Sequence, residues 1–322
     1  MDTHRPEGRP RLRPGDVLLV HGDGAVSWAI RRFDESDVDR AAIVLDPDTV
    51  ADISDAGPRA RPSDQVMGAG RFAYVRRLPT DVDPEPVVRR ARSLLADGSR
   101  YVEPRLVPLA VLSMTRRLPL ESVTLRMVIR ALLDRGSELV DGLISQGREL
   151  LPSAHLVYRC FEESGDPRSS LSIMFPAVHP PSTIPRTGAG SGESTLVDWA
   201  MARFEPAVVP RVSSIATLAD AQLDAWIAAF AIEESPMDPF ASPAVTAVGL
   251  GSDEPVTDEE LLVSAVRFRN QVNRFAVARD ADPWTTFRMT ADLVTAGDLR
   301  YTPSLATIGS IRPERRQAMI DG

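Results

Sequence analysis

The sequence predicts an α+β fold in which one small, mostly antiparallel sheet comes first and helices follow. Two patterns carry that expectation. Four short apolar runs lie between residues 16 and 75 and are joined by tight turns. From residue 85 onward, apolar side chains recur mainly at helical spacing. No internal repeat interrupts either pattern.

The stretch from Asp16 to Gly22 reads as a buried strand ended by the turn Gly22-Asp23-Gly24. Ala25 to Phe33 reads as a helix, with Val26, Ala29, Ile30 and Phe33 on one stripe. Ala41 to Leu45 is a second strand, closed by Asp46-Pro47-Asp48. Thr49 to Ile53 is a third, and Arg71 to Val75 a fourth. Glu85 to Ala96 is an amphipathic helix that Gly98 stops. Glu121–Leu133 and Ser137–Leu151 are expected as two separate helices, and Pro152–Glu163 as a third, halted at Gly165. Residues 176–195 are rich in Pro, Ser, Gly and Thr and read as a linker or mobile loop. Helices are expected at 194–204 and 217–232. Thr257-Asp258-Glu259-Glu260 forms a capping box that opens a long helix to about Ala278. The tail from Val294 ends in a loop-like Tyr301–Leu305. Trp199, Trp226, Phe230, Phe268 and Phe275 lie on helical stripes and are assigned to core.

Composition excludes several chemistries. All 37 basic residues among the 322 are arginine. Without lysine there is no Schiff base, no P-loop lysine and no Ser-x-x-Lys nucleophile, since a guanidinium does not give up its proton. One cysteine, Cys160, excludes an internal disulfide and a multi-thiolate metal site. Four histidines (His4, His21, His155, His179) leave little for a metal cage, so neither metal nor cofactor is expected. The net charge of -8 argues against nucleic-acid binding. The longest apolar stretch, Leu106 to Met114, is too short to span a bilayer. The start of the chain shows no apolar run behind a basic stub, and the arginine-, alanine-rich usage suggests a bacterial cytoplasmic setting.

Four stretches together resemble a known family. Pro14-Gly15-Asp16-Val17-Leu18-Leu19-Val20 with the helix behind it resembles the opening of the permuted papain-like hydrolases. These are the NlpC-type group sometimes called YiiX/YebB-like and related to lecithin:retinol acyltransferase. Asp37 to Leu45 resembles that family's second strand, commonly Ser-His-Val-Gly-Ile-Val. Ser153-Ala154-His155-Leu156-Val157-Tyr158-Arg159 resembles its nucleophile helix, commonly Cys-Ser-Glu-Leu-Val-Tyr-Arg, and residues 294–305 resemble its closing segment. The resemblance implies a small antiparallel sheet packed on helices, with a helical insertion before the C-terminal tail. It divides the chain into a flexible arm at 1–13, a permuted papain-like core at 14–175, a linker at 176–196, a helical insertion at 197–290 and a segment at 291–322 that returns to the core.

The departures bear on function. The family's nucleophilic cysteine falls on Ser153, its histidine on Arg40, and its third polar residue on Asp52. A hydroxyl at a helix N-terminus is not ionised by an end charge worth about 0.3–1 kcal/mol, so Ser153 needs a base. Arg40 cannot serve, and His155 is two residues away on another face. His21, at the end of the first strand, is the one substitute base in reach of the same cleft. Ser153 otherwise reads as a helix N-cap, Arg40 as a strand-edge charge, Asp52 and His21 as strand polar residues, and Cys160 as a core thiol.

Two functions follow as expectations. The first is a degenerate family member that has lost cysteine hydrolysis and binds a small acyl, peptide or lipid-like ligand in the old groove, or a protein partner through 197–290. The alternative is a serine acyl hydrolase or acyltransferase acting on amide, ester or thioester bonds through Ser153.

Overall fold

The computed structural model of the chain describes residues 10–54, 56–68, 70–79, 81–164, 171–175, 194–203, 223, 225–227, 255–275, 282–290 and 293–312. The chain is α+β. Its elements are β1 (Val17–Gly22), α1 (Ala25–Phe33), β2 (Arg40–Asp46), β3 (Thr49–Ser54), β4 (Gly57–Pro62), α2 (Ser63–Gly68), β5 (Gly70–Arg77) and α3 (Glu85–Ala96). There follow β6 (Tyr101–Val102), α4 (Leu106–Thr115), β7 (Arg117–Leu118), α5 (Val123–Ser145), β8 (Glu149–Leu150), α6 (Ser153–Glu162), β9 (Ser194–Thr195) and α7 (Leu196–Arg203). The last are α8 (Asp258–Asn273), α9 (Pro283–Thr290), α10 (Ala296–Tyr301) and β10 (Ala306–Ile311).

Six strands form one antiparallel sheet in the order β10-β5-β1-β2-β3-β4. Alternation along the strands divides the core in two. On one face Val17, Leu19, Ala41, Ile43, Ala51 and Ile53 pack against α3 and α6, where Leu94, Leu156, Val157, Cys160 and Phe161 meet them. On the other face Leu18, Val20, Ala42, Val44, Val50 and Val75 pack under α2 with Leu12 and Ile311. Leu12 lies in the segment expected to be a loose arm; its burial starts the packed chain earlier than residue 14.

A third core is helical. The α4 run Leu106–Thr115 is apolar almost all round and is buried on nearly every side, which forces other helices to cover it. α1, α5 and α7 pack on it directly through residues such as Trp28, Leu132 and Trp199, and α8 and α9 extend the same core through Phe268, Trp284 and Phe287. The sequence division at residue 197 is therefore not a packing boundary, because α4 and α5 share their core with helices from both sides of it.

Two expected helices, Glu121–Leu133 and Ser137–Leu151, are one helix, α5, capped by the Ser122 hydroxyl. Gly136 does not end it. A Cβ there would lie 2.8 Å from the Phe268 ring and 3.1 Å from Ala110, so this glycine lets α4 and α8 approach. The Thr257–Glu260 capping box is formed, and a second one, Thr295 with Asp298, opens α10. The pattern reading missed β4 and β10. Gly57-Pro58-Arg59-Ala60-Arg61-Pro62 is an edge strand whose prolines carry no ladder donor. β10 is anchored by Arg76, which donates to the carbonyls of Arg300, Thr302 and Leu305. The expected helix at 217–232, Phe230 and most of the linker lie outside the described residues. Among the described residues, no helix is long and apolar enough to cross a membrane.

Candidate functional site

The site is built where α6 begins. Pro152 enters in an extended conformation and its carbonyl accepts the Leu156 amide at 2.8 Å, so Ser153 is the first helical residue rather than the cap. Its side chain does not cap the helix. Instead, Ser153 Oγ accepts the Ala41 amide of β2 at 3.4 Å, and the Ser153 amide donates to Glu103 Oε1 at 2.7 Å.

Glu103 reaches that point because β6 and β8 run parallel, with Tyr101 beside Glu149 and Val102 beside Leu150. The Leu151 amide extends the ladder to the Val102 carbonyl at 3.0 Å, which sets residue 103 next to 152–153. Burial pushes the Glu103 carboxyl up to about 7, against the stabilising amide and hydroxyl of Ser153 and the charges of Arg105 and Arg40. A carboxyl in this range is half ionised near neutral pH and both accepts and donates protons.

Asp39 forms the second polar cluster. Its carboxylate takes the Gly22 amide at 2.6 Å, the Arg31 guanidinium at 3.4 Å and the Arg105 guanidinium. Gly22 is needed here, since a Cβ would lie 2.9 Å from Asp39 Oδ2 and 2.7 Å from Ser27 Oγ. Arg105 also donates to Ser27 Oγ at 3.0 Å.

The positions expected from the sequence are only partly brought together. Arg40 donates to both oxygens of Asp52, at 3.0 and 3.3 Å, and Arg61 donates to the same carboxylate at 2.7 Å. Burial opposes the Arg40 cation, but Asp52, Glu103 and Asp39 outweigh it and raise its pKa. Arg40 and Asp52 share the strand phase of Ala42, Val44 and Val50, which pack on the sheet face away from α6. Neither lines the cavity in front of Ser153.

His21 is not among the residues that line the cavity in front of Ser153. Its Nδ1 lies 2.7 Å from the Asp37 carbonyl and so carries the proton, and its ring stacks on Phe72 at 4.6 Å. Burial and Arg31 lower its pKa. The hydrogen-bonding partners of Ser153 are Ala41 and Glu103, not His21. Cys160 is fully buried inside the α6 face, and burial pushes its thiol up to about 12.

In front of Ser153 lies a cavity of about 590 Å³. Ile30, Pro108, Val111, Leu112, Val197 and Leu293 supply apolar wall, while Ser153, Glu103, Asp39, Arg105, Arg116 and Arg288 supply polar groups. Arg116 is held by Asp34 at 2.9 Å, and Asp34 also accepts the Gly297 amide at 3.0 Å. Burial, reinforced by Asp298, pushes the Asp34 carboxyl up to about 6 against Arg116. Among the described residues, no group of three or more His, Cys, Asp or Glu is arranged to hold a metal ion.

The sequence reading missed Glu103, Asp39 and Arg105. Asp39 sits inside the quoted second-strand motif, one residue before Arg40, so its position was visible but its role was not. No spacing in the sequence connects Glu103 to Ser153. No family model matches the chain, and no curated protein and no solved structure is significantly similar to it.

Proposed function

We propose that this chain is a degenerate permuted papain-like (NlpC-type) protein that lacks cysteine hydrolysis and binds a small ligand with an apolar body in the cavity before Ser153. The observation that carries this reading is the cavity itself. Its volume of about 590 Å³ suits a small molecule, and a few polar groups sit in an apolar wall. At the positions matched to the family's couple stand an alcohol and a guanidinium already committed to Asp52.

The test is binding of a dansylated medium-chain fatty acid, followed by the rise in its fluorescence. Saturable binding that is lost in Leu112→Trp, with the fold retained by circular dichroism, supports the reading. No binding, or binding indifferent to that substitution, overturns it. A second reading, serine acyl transfer through Ser153, is favoured by the Glu103 carboxyl lying against that residue.

A further inference from the structure

We infer that Ser153 and Glu103 are a nucleophile and its general base, and that the cavity transfers acyl groups from esters with a small apolar acyl portion. The inference rests on the ligand-binding reading of the cavity and adds chemistry to it.

Three observations converge. Ser153 and Glu103 both line the cavity although each is more than nine-tenths buried. The Glu103 carboxyl holds the Ser153 amide at 2.7 Å and interacts with the same residue's hydroxyl. The contact from the Ala41 amide to Ser153 Oγ is long, at 3.4 Å, and uses the oxygen as acceptor, so it does not consume the hydroxyl proton. The apolar wall at Ile30, Val111, Leu112 and Val197 gives an acyl chain its place. The first turn of α6, whose amides lack acceptors within the helix, puts partial positive charge at Ser153.

The step balances without a co-reactant beyond water. Ser153 Oγ bonds to the ester carbonyl carbon, the carbonyl electron pair moves onto oxygen, and the hydroxyl proton passes to the Glu103 carboxylate. The tetrahedral adduct collapses with cleavage of the carbon–alkoxide bond, and Glu103 returns the proton to the leaving alcohol. Water, deprotonated by Glu103, then attacks the acyl-serine. Carboxylic acid leaves and the Ser153 hydroxyl is restored.

The groups acting on Glu103 are Ser153 of α6, Arg105 before α4 and Arg40 of β2; Asp39 lines the same cavity and is tied to Gly22, Arg31 and Arg105. The guanidinium groups do not titrate near neutral pH. The reaction rate therefore follows Glu103 and rises through pH about 7 to a plateau.

The test treats the full chain with an alkyl fluorophosphonate, a serine-directed probe that releases fluoride, and locates the adduct by mass spectrometry. An adduct on Ser153, slowed about 100-fold or more in Glu103→Gln, supports the pair. The carboxamide oxygen of the Glu103→Gln variant still offers an acceptor to the Ser153 amide, and circular dichroism checks the fold. The pH profile of the unsubstituted chain is an independent measurement. Absence of the adduct, a rate unchanged in Glu103→Gln, or a flat profile between pH 5.5 and 8.5 overturns the inference. If the dansylated fatty acid still binds in those cases, the cavity reading stands and only the catalytic pair is lost; failure of that binding removes both.

Discussion

The Ser153 amide and the Glu103 carboxyl form a 2.7 Å hydrogen bond across 50 residues of chain, so the start of α6 is completed by a side chain from the end of β6. A buried carboxyl thus does the work that a local cap does elsewhere. It also leaves an ionisable group beside a residue that lines the cavity.

That placement gives stability a pH dependence of defined sign. The folded-state pKa of Glu103 lies above the unfolded value, so between about 4.5 and 7 the folded chain binds this proton and the unfolded chain does not. Its contribution is full at low pH and declines as pH rises, levelling above about 7. Glu103→Gln removes the dependence, and its stability relative to the unsubstituted chain should rise from pH 5 to pH 8 by on the order of 3 kcal/mol. Asp34 and His21 titrate in both chains and cancel. Urea unfolding at the two pH values measures the difference; parallel behaviour of the two chains contradicts it.

The Arg40–Asp52–Arg61 cluster should matter for folding and not for the cavity. Asp52→Ala leaves two largely buried guanidinium groups without their shared carboxylate. The expected loss is about 2–4 kcal/mol in urea unfolding, with affinity for the dansylated fatty acid unchanged in the folded fraction. A selective loss of affinity at full stability would place the cluster in the binding site.

Gly136→Val should destabilise the chain by about 1–3 kcal/mol, although valine is a better helix former than glycine. The side chain has no room between Phe268 and Ala110. Thermal unfolding decides the sign, and a stabilised variant would show that α4, α5 and α8 are not so closely packed.

Cys160 should resist iodoacetamide at pH 8 in the native chain and react at once in urea, because its thiol is fully buried and pushed up to about 12. Rapid native labelling, read by mass spectrometry, would put the thiol in an open cleft and remove the argument from an absent thiolate.

Much of the local structure was legible. The limits of α1 and α3 follow from their apolar stripes, and the Thr257–Glu260 box marks the start of α8. The errors have physical causes. The break expected between Leu133 and Ser137 is absent, and the missing side chain of Gly136 makes room for Phe268 from more than a hundred residues away. β4 is polar and proline-rich because it is an edge, so it lacks the signal of a buried strand. Ser153 has the identity of a cap, yet Pro152 before it takes the cap position.

By itself the sequence determined the order of sheet and helices, the apolar faces, and the exclusion of amine and multi-thiolate chemistry. Tertiary structure alone decided the partners of the charges: Arg40 with Asp52 and Arg61, Asp39 with Arg31 and Arg105, and Glu103 with Ser153. Periodicity records which side of an element is apolar because that depends on near neighbours along the chain. The partner of a buried charge depends on strand register and on where distant segments return, and neither leaves a pattern in local spacing.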